Sequence, residues 1–316
     1  MSVQEIKKNR VSFSQYSTFL KCPHKWYLDY VKNLRVRDDS IHTTFGTAIH
    51  HVFQTYLDTL YKKSVTEADS LNLNKIFIDK FTEEVKKLKP EDYNEEEFTD
   101  FCFDGQDIIS TFCKTANRLK YFPAKDYELV GIEIPLEMPL KNNVEFVGFI
   151  DIVLKEVNKE KYRIIDFKTS SSGWNSYMKE DVSKLAQLHL YKSVYSKKFN
   201  VPLNNIEVEF FIVKRKLYEN VSFPQSRIQV FKPSAGPTII KESIKSFIKE
   251  NKIDSIIHCA IEGGSRLKKD DANTFYNNQT ISGSLFVSSI AISNATLLAS
   301  SSNFFNPSPS SASINF

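Results

Sequence analysis

Gly148-Phe149-Ile150-Asp151-Ile152-Val153-Leu154 and Tyr162-Arg163-Ile164-Ile165-Asp166-Phe167-Lys168-Thr169 are two apolar runs joined by the polar turn Asn158-Lys159-Glu160-Lys161. Their Ile, Val and Phe content predicts two buried strands of a β-hairpin in the middle of a sheet. Asp151, Asp166 and Lys168 do not suit that setting, because an ionised group in a core costs several kcal/mol unless it is paired or binds a metal. Strand alternation puts Asp166 and Lys168 on one face and Phe167 on the other. If the strands pair across the turn, both carboxylates and the ammonium converge. Two carboxylates held together repel unless a cation lies between them, so the hairpin is suited to a hard divalent ion beside a lysine.

Outward from the hairpin, the N-terminal part reads as helical. Ser12 to Pro23 contains Tyr16, Phe19 and Leu20 at helical spacing, Pro23 can open a second helix to Asn33, and Gly46 to Lys62 carries the apolar stripe Ile49, Val52, Phe53, Tyr56, Leu57 and Leu60. Helices are also predicted over Lys75–Lys89 and Gln106–Tyr121, joined by Glu91–Asp107, which holds eight acids and no Lys or Arg and reads as a solvated acidic face. Strands are predicted over Tyr127–Leu140, Val144–Leu154, 162–169, Ile206–Leu217 and Arg227–Lys232, with helices over Asp181–Phe199 and Pro237–Lys249. This order predicts an α/β core wrapped by an N-terminal helical region. The expected division is 1–126 helical region, 127–255 core, and 256–316 a Ser-rich, low-complexity tail. Residues 272–316 contain twelve Ser and no Lys, Arg, Asp or Glu.

Composition narrows the chemistry. The chain has 316 residues, 41% of them hydrophobic, and a net charge of only +4, so a polyanion partner must be argued from where the charge sits. From Met1 to Arg37 there are eight Lys or Arg against Glu5 and Asp29, and Lys214-Arg215-Lys216 forms a second basic cluster. Cys22, Cys102, Cys113 and Cys259 are scattered without a C-x-x-C pair, which gives no zinc knuckle or disulfide framework and makes the cytoplasm the default location. No signal peptide, membrane span, P-loop or helicase motif is visible.

The hairpin resembles the core of the PD-(D/E)XK nuclease superfamily, and five motifs, two of them in the hairpin, resemble its RecB-like branch. Gly46-Thr47-Ala48-Ile49-His50 is similar to G-x-x-x-H, Gly148-Phe149-Ile150-Asp151 to the G-x-h-D strand (h apolar), Asp166-Phe167-Lys168-Thr169 to D-x-K-T, Gln187-Leu188-His189-Leu190-Tyr191 to Q-x-x-x-Y, and Ser14 to Tyr27 with Cys22-Pro23 to the N-terminal entry. The resemblance implies a restriction-endonuclease-like fold with a central mixed β-sheet flanked by helices. It implies that Asp151, Asp166, His50 and the carbonyl of Phe167 ligate Mg²⁺ or Mn²⁺, that Asp151, Asp166 and Lys168 are catalytic, and that Lys168 orients or deprotonates the attacking water. Gln187 and Tyr191 would hydrogen-bond the phosphate or steady Lys168. Relatives of the AddAB and CRISPR-associated kinds add three C-terminal cysteines to the Cys-Pro cysteine for an iron-sulfur cluster. Here only Cys259 lies beyond the core, so no cluster is expected. His51, His24, His42, His189 and His258 are read as structural, and Glu133, in an apolar strand, as a candidate for a second metal or a basic partner.

The resulting expectation is a metal-dependent DNA exonuclease in replication, recombination or repair, acting on single strands or duplex ends, with a helicase or recombination protein as a partner. The alternatives are a catalytically silent nucleic-acid-binding protein on the same fold, placing Lys7–Arg37 and Lys214-Arg215-Lys216 on phosphates, or a nuclease subunit that works only with a helicase.

Overall fold

The computed structural model describes residues 9–35, 39–139 and 144–249. By its contacts the chain falls into two units, Met1–Ile253 and Asp254–Phe316. The Ser-rich tail, Cys259 and His258 lie outside the described residues.

The sheet has six strands: β1 (Asn9–Ser12), β2 (Tyr127–Pro139), β3 (Val144–Glu156), β4 (Tyr162–Ser170), β5 (Ile206–Lys214) and β6 (Ile228–Phe231). It is mixed: β1 runs parallel to β3 and β4 parallel to β5, while β2 and β4 are antiparallel to β3 and β6 is antiparallel to β5. Strand β3 organises it. β2 pairs with β3 along its length, while β1 pairs with Val144–Val147 and β4 with Ile152–Lys155. Residues 148–151 of β3 therefore fall in the fork between β1 and β4. The last β3–β4 pair is Ile152↔Ile165, and the strands part at Asp151 and Asp166. The expected hairpin is thus present, and the site motif lies where it opens.

Helices cover both faces. α1 (Phe13–Lys21) and α2 (Pro23–Trp26) lead through a π turn at Tyr27–Val31; then come α3 (Ile41–Lys62), α4 (Val65–Asp69), α5 (Leu73–Val85), α6 (Glu95–Phe112) and α7 (Thr115–Tyr121). α8 (Ser176–Glu180) and α9 (Val182–Phe199) form the crossover between β4 and β5, and α10 (Pro237–Lys249) follows β6. On one face the aromatic residues of α3 and α6 meet those of the strands: Phe53 lies 5.2 Å from Phe167 and Phe112 lies 6.0 Å from Phe211, ring centroid to ring centroid. On the other face Tyr195 of α9 lies 5.9 Å from Tyr162, and Trp174 covers Phe210 at 4.8 Å. Strand alternation explains the split, with Ile165, Phe167, Phe211 and Val213 joining the α3 side of the core. The N-terminal helices and the sheet strands share that core.

Two readings of the sequence are corrected here. The acidic run is not a connector but most of α6: Asn94 accepts a hydrogen bond from the Glu97 N–H at 2.8 Å, and Glu95, Glu96 and Glu97 occupy the first turn, where a helix dipole favours negative charge. Nor is its face simply solvated. Asp104 is buried and binds Arg215 at 2.6 Å, and Asp107 binds Arg227 at 2.8 Å. The edge strand β1 and the short helices α4 and α8 carry too little periodicity to be read in advance. Among the described residues no helix is long and apolar enough to cross a membrane.

Candidate active site

Four elements meet at the fork. β3 brings Asp151, β4 brings Asp166 and Lys168, α3 brings His50, and α9 brings Gln187 and Tyr191. Asp151 Oδ2 accepts the backbone N–H of Phe167 at 2.8 Å and lies 3.7 Å from His50 Nδ1. This ties the two strands together just past their last ladder pair. Asp166 is almost wholly buried; its Oδ1 accepts from Gln187 Nε2 at 3.1 Å, and Lys168 Nζ lies 2.5 Å from Oδ2. That contact is a buried ion pair, and among the described residues Oδ2 has no further hydrogen-bond donor.

Electrostatics follow from burial. Desolvation is the main cause that pushes the carboxyl groups of Asp151 and Asp166 up to about 6, against the pull of Lys168. Desolvation, helped by Lys168, lowers His50 to about 4, while the Asp166 and Glu133 carboxylates pull the other way. At neutral pH the His50 imidazole is therefore uncharged, the form that can ligate a metal.

Gln187 and Tyr191 sit one turn apart and act as one unit: Gln187 Nε2 also donates to the Tyr191 hydroxyl at 3.2 Å. Tyr191 is buried, and burial raises its pKa strongly. The structure thus brings Gln187 to Asp166 and places the Tyr191 hydroxyl behind Gln187. The motif glycines allow these approaches. A Cβ on Gly46 would lie 3.0 Å from Thr169 Oγ1, and one on Gly148 would lie 2.9 Å from a Tyr191 ring carbon. At the N-terminus, Cys22 Sγ accepts the Lys25 N–H at 3.4 Å and caps α2. His189 binds Ser243 and the Ser234 carbonyl with its two ring nitrogens, which matches its structural reading.

Sequence reasoning left Glu133 without a partner. In the structure it stands on β2 between the pairs Ile132↔Ile152 and Ile134↔Ile150, which places it opposite Asp151. Its φ is +51°, and every other non-glycine residue with positive φ among those described is an asparagine. Gln54, one turn after His50 on α3, donates to Glu133 Oε1 at 2.7 Å. Nothing in the sequence signals that backbone conformation.

Among the described residues no three His, Cys, Asp or Glu side chains stand at metal-ligating spacing. Lys168 pairs with Asp166, and Asp151 accepts the Phe167 N–H. The donor set still fits a hard divalent ion, because two buried carboxylates and a neutral imidazole share the site and the Lys168 ammonium is the one cation beside them among the groups described above.

Comparison with known proteins identifies the family. The family model described as the PD-(D/E)XK nuclease superfamily matches residues 10–261. No curated protein matches the sequence. A crystal structure of a candidate exonuclease from Eubacterium rectale superposes with a TM-score of 0.47 at 9% identity, over 83% of this chain and 88% of that one. With an acid on one strand, an acid-x-lysine on the next, and a family match that runs from β1 past α10, this chain belongs to the PD-(D/E)XK nuclease superfamily.

Proposed function

We propose that this protein is a metal-dependent DNA nuclease of the RecB-like type, cutting from strand ends. The observation that carries the reading is the convergence of His50, Asp151, Asp166 and Lys168 at the fork of the sheet, with Gln187 bound to Asp166. The order of the five motifs supports the RecB-like branch and, with it, action at ends.

Asp151, Asp166, His50 and the Phe167 carbonyl are the residues that would hold Mg²⁺ or Mn²⁺. A divalent ion bound there neutralises charge building on the phosphorus-centred transition state and eases deprotonation of the attacking water. Lys168, held by Asp166, is placed to orient that water or to offset charge on the phosphate oxygens. Gln187, locked by Tyr191, fixes the Asp166 carboxylate in one orientation, so the site needs little reorganisation when substrate arrives. Tyr191 acts through Gln187.

The test uses the purified full chain with Mn²⁺, Mg²⁺ or EDTA on end-labelled single- and double-stranded DNA. Metal-dependent release of short products from ends is expected, with none in EDTA. Binding without cleavage under every condition would sink the reading.

A further inference from the structure

Beside the catalytic carboxylates a cleft of about 530 Å³ opens between the first turns of α3 and the end of β4. No Asp or Glu lines it, although the chain carries 38 of them. Its polar wall instead holds the donors Lys168, Thr169, Ser171 and Arg215. Such donors without a facing acid are matched to a polyanion and not to a cation.

The wall is built by the sheet register. The β4–β5 ladder ends at Ser170↔Lys214, and the strands continue to bond beyond it, Arg215 N–H to the Ser170 carbonyl and Lys216 N–H to the Ser171 carbonyl, both at 2.8 Å. Ser171 and Arg215 are thereby held on adjacent chains at the cleft. The Arg215 guanidinium is fixed from behind: Nη1 binds Asp104 Oδ2 at 2.6 Å and the group lies 4.1 Å from the centre of the Phe101 ring. Lys216 reaches the same Asp104 oxygen at 3.0 Å. Two cations on one carboxylate leave a net positive charge at the rim, and a pinned arginine loses little freedom when it binds phosphate. The hydroxyls of Ser171 and Thr169 make no side-chain hydrogen bond within the described structure, so both remain available to a ligand.

We propose that this cleft is the subsite for the nucleotide next to the scissile phosphate on a single nucleic-acid strand. Arg215, Thr169 and Ser171 hold its backbone phosphate, and Lys168 marks the end that adjoins the reaction. The proposal rests on the nuclease reading above. The volume lies within the range of about 300–1,000 Å³ of small-molecule pockets, which is room for one nucleotide. These donors address phosphate and sugar, so the subsite is blind to sequence.

The experiment measures anisotropy of a labelled oligothymidylate with the full chain in EDTA across a salt series, and KM and kcat for its cleavage with Mn²⁺. Ser171→Asp puts a carboxylate into the acid-free wall at an exposed position, and Ser172→Asp, exposed and outside the cleft, is its control. Ser171→Asp should weaken binding about tenfold or more and raise KM with kcat little changed, while Ser172→Asp has a much smaller effect. Arg215→Gln should lower the slope of log affinity against log salt by about 1. Equal effects of the two serine variants, or wild-type binding by Ser171→Asp, would overturn the subsite while wild-type cleavage leaves the nuclease reading intact. If the wild type neither binds nor cuts, the nuclease reading itself fails. Should Arg215→Gln unfold for want of its Asp104 pair, the serine arms decide alone.

Discussion

The ring of Tyr191 lies across the bare α-carbon of Gly148, so that a Cβ there would come within 2.9 Å of Tyr191 Cε1. The glycine of the G-x-h-D motif and the tyrosine of Q-x-x-x-Y are thus two halves of one contact, and Gln187 and Asp166 depend on it. Gly148→Ala forces a buried ring to move, and overpacking of this kind costs roughly 1–3 kcal/mol. A lower melting temperature and slower cleavage are expected, with a smaller stability cost in a Tyr191→Ala background. An unchanged melting temperature for the single variant would show that the ring has room to shift.

On the proposed reading, Lys168 serves the chemistry and Asp166 the metal. Lys168→Ala should lower cleavage roughly 10²–10⁴-fold while calorimetry still detects Mn²⁺ binding. Asp166→Ala should lose both, yet melt no lower than the wild type at neutral pH without metal, because it removes a buried carboxylate that prefers its proton. His50→Ala should weaken Mn²⁺ more than Mg²⁺, following ligand softness. Equal losses for the two metals would make His50 a structural residue.

Stability without metal should run against the usual acid profile at this site. Asp151 and Asp166 sit at about 6 in the folded protein against 3.8 ordinarily, chiefly through burial. An acid whose folded pKa is raised holds more protons folded than unfolded, so its stabilising contribution is full below the unfolded pKa and is lost as pH rises through the folded one. In EDTA the protein should lose on the order of 3 kcal/mol from each of these groups between about pH 4 and pH 6. Saturating Mn²⁺ above that window restores the balance, by roughly 2.7 kcal/mol at a hundredfold excess over Kd. Melting curves with and without metal check this, and Asp151→Asn/Asp166→Asn should flatten the EDTA profile. A profile unchanged by the double substitution would remove these carboxylates as its source.

The hairpin, its charged residues and most helices were legible because each obeys a local rule: period-two apolar runs, an apolar stripe on α3, a proline opening α10. Asp166 and Lys168 could be put on one side of a strand by parity alone. What was not legible depends on partners distant in sequence. Asp104 looked like part of a solvated acidic face until Arg215, 111 residues away, was seen to claim it. The fork that opens the site exists because β1, only four residues long, pairs with one half of β3 and β4 with the other. Gly46 was noted as a motif letter, whereas its physical reason is the Thr169 hydroxyl that passes 3.0 Å from where its Cβ would be.

Glu133 carries two local penalties next to the site. A left-handed backbone costs a non-glycine residue roughly 1–2 kcal/mol, and a carboxylate opposite Asp151 on the neighbouring strand adds like-charge repulsion. Gln54 binds one oxygen and fixes the side chain, which offsets part of that cost without explaining why an acid stands there. Strain of this kind persists where the surroundings impose it and gathers at functional positions. Glu133→Gly removes both penalties, and after the entropic cost of glycine a gain of about 1 kcal/mol remains. Glu133→Gln keeps the strain and removes only the charge. If the acid serves the metal centre, both variants should cut more slowly and bind Mn²⁺ more weakly, while the glycine variant melts higher in EDTA. Full activity together with a higher melting temperature in Glu133→Gly would show instead that the strain follows from the β2–β3 pairing and does no chemical work. A drop in melting temperature would mean that the Gln54–Glu133 bond outweighs the strain, because it holds α3, and with it His50, against the sheet.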